Sequence, residues 1–215
     1  MNSEASVPLF PLPNVILYPG AMLPLHVFEP RYVQLVDDLL QDDSDLLALA
    51  LLKPGWDAKY FGQPDVFPIA GVGRLVSCQR LPNHRYNILV EGIGRAELSE
   101  LPLQHTYRQA HYRLLDEVEI EDPAQSELLR LQLVKGLAKI SEQTVLPDPA
   151  RSVSYLCDVL LIAAGADITE KQRIFAILDV AERAQAVVKL LHDAEQLSLR
   201  MSGPGGGQPS DPSWN

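Results

Sequence analysis

With 215 residues, 47% of them hydrophobic and 21% charged, the chain can bury roughly 70% of the surface it exposes when unfolded, enough for a core that needs no staples. The formal net charge of −10 argues against a nucleic acid or an anionic membrane as partner, because such binding takes its affinity from Lys and Arg that neutralise phosphates. Residues 1–7 show neither a basic n-region nor an apolar h-region, and the apolar runs fall far short of the roughly 20 residues of a spanning helix, so a soluble cytoplasmic protein is expected. Cys78 and Cys157 are too few for a disulfide framework and read as small buried hydrophobes.

The stretch FPLPNVILYPGAMLPLHVFEPRY, residues 10–32, sets five prolines among apolar residues. Proline cannot donate to a strand ladder, so the pattern predicts short extended pieces joined by kinks. Pro30 suits the first position of a helix. Tyr32, Leu35, Val36, Leu39 and Leu40 follow at offsets of three and four, one buried helical face, with Asp37, Asp38, Gln41, Asp42 and Asp43 in solvent. The run 45–52 reads as a buried strand that stops at Lys53-Pro54-Gly55.

The loop 55–68 then places Trp56, Tyr60, Phe61 and Phe67 among Gly and Pro. Aromatics in a kinked loop are either tucked against a core or displayed to a partner, and this loop is the best local binding candidate. Strands at 74–81 and 85–91 flank Pro82-Asn83-His84 as a hairpin. Tyr86, Ile88 and Val90 alternate with Arg85, Asn87 and Glu91, as a half-buried antiparallel strand requires. A further strand is predicted over 107–115.

From Pro123 the chain turns helical. Leu129, Leu133, Leu137 and Ile140 predict a helix over 123–143, broken by the proline run at 147–149, and a second follows over 152–164. Thr169 with Gln172 and Asp179 with Glu182 have the form of capping boxes for helices over 170–178 and 180–199. The last carries Ala184, Val187, Val188, Leu191 and Ala194 on its apolar side. The expected division is a strand-rich subdomain over 1–121, a helical bundle over 122–200 and a disordered tail over 201–215, in which Trp214 is incidental. This is an α+β arrangement.

Catalytic patterns are missing where their spacing would reveal them. In Gly71/Gly73 and Gly92/Gly94 the third glycine of a dinucleotide fingerprint would fall on Val76 and Glu97, and neither pair opens a helix, so both read as equivalent bends of a curved sheet. His26, His84, His105, His111 and His192 lack the short-spaced pairing that seeds a zinc site. No nucleophile elbow surrounds any serine. The carboxylate pairs, including Asp37/Asp38 and Glu117/Glu119/Glu121, read as solvated faces. No cofactor and no metal are expected.

The opening residues 7–32, the segments 69–75 (IAGVGRL) and 89–96 (LVEGIGRA), and DVAER at 179–183 together resemble the N-terminal, substrate-binding domain of Lon protease, found also in cereblon and in free-standing bacterial proteins. The likeness runs over 7–199. It implies a six-stranded, barrel-like antiparallel sheet of the PUA-like type followed by a helical bundle, with prolines ending strands at the corners. The ATPase and peptidase motifs of full-length Lon are not among these residues, so a non-enzymatic module binding unfolded or degron-bearing polypeptide is expected. Its candidate contacts are Trp56, Tyr60, Phe61, Phe67, Phe28 and Arg31. Alternatives are a scaffold that docks on a partner protein or forms a weak homo-oligomer, and an RNA-binding module, which the acidic charge disfavours.

Overall fold

The computed structural model of the chain describes residues 5–42, 44–59, 62–140, 148 and 151–201. The strands are β1 (Ser6–Leu12), β2 (Met22–Val27), β3 (Leu46–Leu51), β4 (Ile69–Leu81), β5 (Arg85–Glu100) and β6 (Arg108–Leu114). The helices are α1 (Pro30–Gln41), α2 (Pro123–Ile140), α3 (Val153–Ala163), α4 (Ile168–Phe175) and α5 (Val180–Met201).

The sheet runs β2-β5-β4-β3-β1-β6, and β5 also pairs β6. The long β5 makes this possible by changing partner along one edge: Tyr86 to Glu91 pair β2, and Ala96 to Glu100 pair β6. The sheet therefore closes through β5 and leaves β2 outside the closure. One pairing, β1 with β3, is parallel, and the others are antiparallel. The parallel pair follows from the long connection through β2 and α1, since a hairpin turn cannot join parallel neighbours.

Two prolines fall where a ladder tolerates them, whereas Pro8 and Pro11 lie within β1, between β3 and β6, and do not end a strand at a corner as expected. Pro30 starts α1, and Pro24 lies on β2, which has β5 as its one neighbour. The hairpin between β4 and β5 turns through Asn83 (φ 63°) and His84 (φ 52°).

The glycine pairs have a second reason beyond curvature. A bulge does sit between Val72 and Gly73. Residues 17–18, however, cross directly over Gly71, Gly73 and Gly92: a Cβ on Gly71 would lie 2.1 Å from the Leu17 carbonyl oxygen, and one on Gly92 2.1 Å from that of Tyr18. Glycine is required because another backbone occupies the space. Leu17 belongs to the core between the sheet and α1, whereas Tyr18 points into the helical core with Leu133, Leu156, Leu160 and Phe175. Two adjacent residues thus enter two cores.

Some expectations shift. Leu40 is 54% exposed, so the buried stripe of α1 ends at Leu39. Ser152 caps α3 by accepting from Tyr155 N–H, but α4 is capped by Asp167, which accepts from Thr169 and Glu170 N–H, in place of Thr169. Asp179 caps α5 through Glu182 N–H as its spacing predicts. Ala194 lies off the buried side of α5, and Cys78 is half-buried while Cys157 is buried. Met201, expected to start the tail, is the last residue of α5, whereas residues 141–143 of the expected helix and 202–215 of the expected tail, with Trp214, lie outside the described residues.

Candidate functional site

Where β1 and β3 end side by side, Leu52 N–H donates to the Leu12 carbonyl at 3.0 Å. The chain from Lys53 to Phe67 then loops out and is pinned back, with Lys53 N–H on Asp65 O and Phe67 N–H on Leu51 O. A helical turn, Trp56–Lys59, stands in this loop, and the half-buried Trp56 packs on the core of Leu9, Ala48 and Leu52. The N-terminus of α1 closes the other side. Between them lies a groove of about 460 Å³ whose apolar wall is Pro11, Leu12, Pro13, Tyr32, Leu52 and Trp56.

The rim is charged: its two arginines are matched by carboxylates, and Asp57 adds a further carboxylate. Arg31 donates to Glu29 at 2.9 and 3.1 Å, and its guanidinium lies 4.6 Å over the Tyr32 ring. Arg108 donates to Glu100 and to the Pro64 carbonyl. Such a groove offers apolar and aromatic surface with little net charge to select one sign of ligand.

Of the residues expected at a binding site, Trp56 and Arg31 meet in this groove. Phe67 does not join them: it lines a separate cleft against α4, with Ile69, Gln172 and Ala176. Phe28 is 59% exposed and stacks on His26 at 5.9 Å, turned away from the groove although it is only three residues from Arg31. Tyr60 and Phe61 lie outside the described residues.

A second polar constellation escaped the sequence reading, and it is buried at the seam between sheet and helices. Arg95, from β5, donates to Glu117 Oε1 at 2.8 Å, to Asp158 Oδ1 at 2.5 Å and to the Phe175 carbonyl at 2.8 Å, with its guanidinium 4.6 Å over the Phe175 ring. Arg183, from α5, donates to Glu117 Oε1 at 2.6 Å, to Ser154 Oγ at 2.7 Å and to the Ile177 carbonyl at 2.6 Å. Glu117 is therefore no solvated carboxylate. Burial raises the Asp158 carboxyl above its usual range, and the two guanidinium groups pull it partly back. The signals were a charged residue inside the apolar helix VSYLCDVLLIA and an arginine closing a glycine pair in a buried strand. Each predicts a partner without saying which.

Asp37 and Asp38 likewise leave the solvated class. They accept from the hydroxyls of Tyr86 (2.5 Å) and Tyr107 (2.8 Å), which ties α1 to the sheet. Both tyrosines titrate higher as a result; the hydrogen bond leads for Tyr86 and burial for Tyr107. Among the described residues no cluster of three His, Cys, Asp or Glu is placed to hold a metal ion. No described helix is long and apolar enough to cross a membrane.

The fold and its two halves have known counterparts. The N-terminal domain of a Mycobacterium avium complex Lon protease superposes with a TM-score of 0.68 at 17% identity, covering 88% of this chain and 99% of that one. A Lon N-terminal domain protein from Xanthomonas campestris gives 0.63 at 20% identity, covering 86% and 98%. In sequence, the Lon proteases of Anaeromyxobacter dehalogenans and Escherichia coli are 23% and 24% identical over 206 residues each, covering 92% and 89% of this chain. The chain spans 24% and 26% of the length of those relatives. The profile of the ATP-dependent protease La (LON) substrate-binding domain matches residues 6–193, nearly the whole described fold, and the chain belongs to that family.

Proposed function

We propose that the chain captures unfolded or degron-bearing polypeptide for a proteolytic machine and binds it without converting it. The observation that carries this reading is the groove beside Trp56, where prolines, Leu12, Leu52 and Tyr32 present apolar surface and both rim arginines already have carboxylate partners. A ligand that enters such a site gains from burying apolar side chains and meets two matched arginines and the single carboxylate of Asp57, which suits exposed hydrophobic residues of a misfolded chain. The family's role as a substrate-binding domain supports the same reading. The strand half and the helical half act as one unit in it, since Arg95, Glu117, Asp158 and Arg183 lock them together.

The test is the affinity for a fluorescent, reduced and carboxymethylated protein that cannot refold. Trp56→Ala is expected to weaken capture by about ten-fold or more, the range of an aromatic anchor, and, because Trp56 also packs on the core, is measured below its own lowered melting temperature, with the folded state checked by circular dichroism. Affinity should vary weakly with salt, because both rim arginines are paired. Unchanged affinity in a folded Trp56→Ala variant removes the groove from the mechanism, and a strongly salt-dependent affinity for RNA would favour the nucleic-acid reading.

A further inference from the structure

We propose that the outer edge of β2 is a second polypeptide-binding element, which pairs main chain to main chain with one extended segment of the captured chain; this rests on the reading of the protein as a polypeptide-recognition domain. Among the described strands, β2 is the one with a single neighbour. Its register with β5 runs unbroken from Met22↔Glu91 to Val27↔Tyr86, and Gly92 N–H donates to the Ala21 carbonyl just before it. In an antiparallel ladder the direction of the backbone groups alternates. Leu23, Leu25 and Val27 therefore face β5, while the backbone groups of Met22, Pro24 and His26 face outward.

Those outward groups define the chemistry of the partner. Met22 and His26 each offer an N–H and a carbonyl, and Pro24 offers a carbonyl alone. A chain in strand conformation supplies the complementary alternation, which is the recognition mode of strand addition. The side chains on the exposed face agree: Met22 is 51% and Phe28 59% exposed, with Pro24 and His26 between them, while Leu23 and Leu25 turn to the core. An apolar strip thus runs beside the unpaired edge, so an alternating apolar segment gains on both counts. Pro24, by removing the middle donor, weakens indiscriminate pairing between copies and leaves a site short enough for transient capture.

The experiment uses the full chain and a fluorescein-labelled eight-residue peptide alternating valine and threonine, followed by anisotropy. Two further peptides carry N-methyl groups on alternate residues, one set for each edge, and leave the protein untouched. One methylated set is expected to weaken binding by about five-fold or more, as lost main-chain hydrogen bonds require, and the other set to be tolerated. His26→Pro removes an outward donor and should weaken the plain peptide similarly, whereas Pro24→Val adds one and should tighten it. The difference between the two methylated sets should persist in Trp56→Ala, since it reports the edge alone. Equal binding of all three peptides, or none by the plain peptide, overturns the proposal even where Trp56→Ala abolishes capture of unfolded protein. Self-association that His26→Pro dissolves, without peptide binding, also overturns it and gives the edge to a second copy. Methylation-sensitive binding with Trp56→Ala harmless to all capture would instead retain the edge and retire the groove.

Discussion

Two pairs of arginines divide the molecule. Arg95 and Arg183 have side chains only 1% and 0% exposed, and they share Glu117 at the seam between sheet and bundle. Arg31 and Arg108, 29% and 11% exposed, face carboxylates of their own on the rim of the groove. The chemistry is the same guanidinium–carboxylate contact, and burial makes the difference. At the seam each charge has been taken out of water, so each partner is needed to offset its desolvation. At the rim water does part of that work, and the pairs serve to keep the groove's charge balanced.

The largest effect should come from breaking the seam. Arg95→Ala leaves Asp158 without its ion-pair partner in a dry site and Glu117 with Arg183 alone, a loss of about 3–5 kcal/mol in urea denaturation, whereas Arg31→Ala should cost about 1 kcal/mol or less. The double change Arg95→Met with Asp158→Leu should recover part of the loss, since it removes two buried charges together. Equal costs for Arg95→Ala and Arg31→Ala would erase the distinction between seam and rim.

Next comes the steric side of the seam. Gly92→Ala drives a Cβ into the Tyr18 carbonyl and should destabilise by roughly 1–3 kcal/mol, because the obstacle is backbone. Gly94→Ala, two residues along the same strand, meets only the tip of Leu114 at 3.3 Å and should be close to neutral. Thermal melts of the two variants measure how closely residues 17–18 clamp the sheet.

A smaller effect is expected at the start of α4, which carries Gln172 and Phe175 to the seam, Gln172 donating to the Ile69 carbonyl at 2.8 Å. Asp167→Ala should cost about 1 kcal/mol, and Thr169→Ala much less, because the side chain of Asp167 holds the first-turn N–H groups. Denaturation midpoints of these two variants discriminate the observed cap from the one the sequence spacing suggested.

That misplaced cap shows what local pattern can carry. The α+β order, the helix starting at Pro30, a buried strand within 45–52 and the hairpin around Asn83 were legible, because proline, glycine and apolar period act within a few residues. Trp56 and Arg31 were legible as candidates because an aromatic in a kinked loop and an arginine at a helix start are local features. The switch of β5 from β2 to β6 was not legible, nor the crossing of residues 17–18 over Gly71 and Gly92. Those depend on pairings between segments far apart in sequence, where composition carries no register. Arg95, Glu117, Asp158 and Arg183 failed for the same reason: each is ordinary in its own segment and gains meaning only from three others.

The least perturbing probe of the seam is the thiol of Cys157, fully enclosed beside Leu156 and Leu160 in α3. Burial pushes its pKa from 9.0 up to about 12, with Arg183 pulling the other way. At neutral pH it should resist iodoacetamide in the native protein, both because the thiolate is the reactive form and because the site is closed. Cys78, half-buried on β4 with a pKa raised chiefly by burial, should label first. The sign of the pH effect follows: above about 9 the unfolded thiol ionises while the folded one keeps its proton up to about 12, so stability contributed by Cys157 falls as pH climbs through that window. A Cys157→Ala variant should lose that part of the alkaline slope while retaining the rest. Because the same seam excludes water from Asp158, Arg95→Ala should also open Cys157 to labelling under conditions where the rim variant Arg31→Ala leaves it closed. Matching labelling rates in those two variants would mean that the buried arginine network does not hold the two halves together.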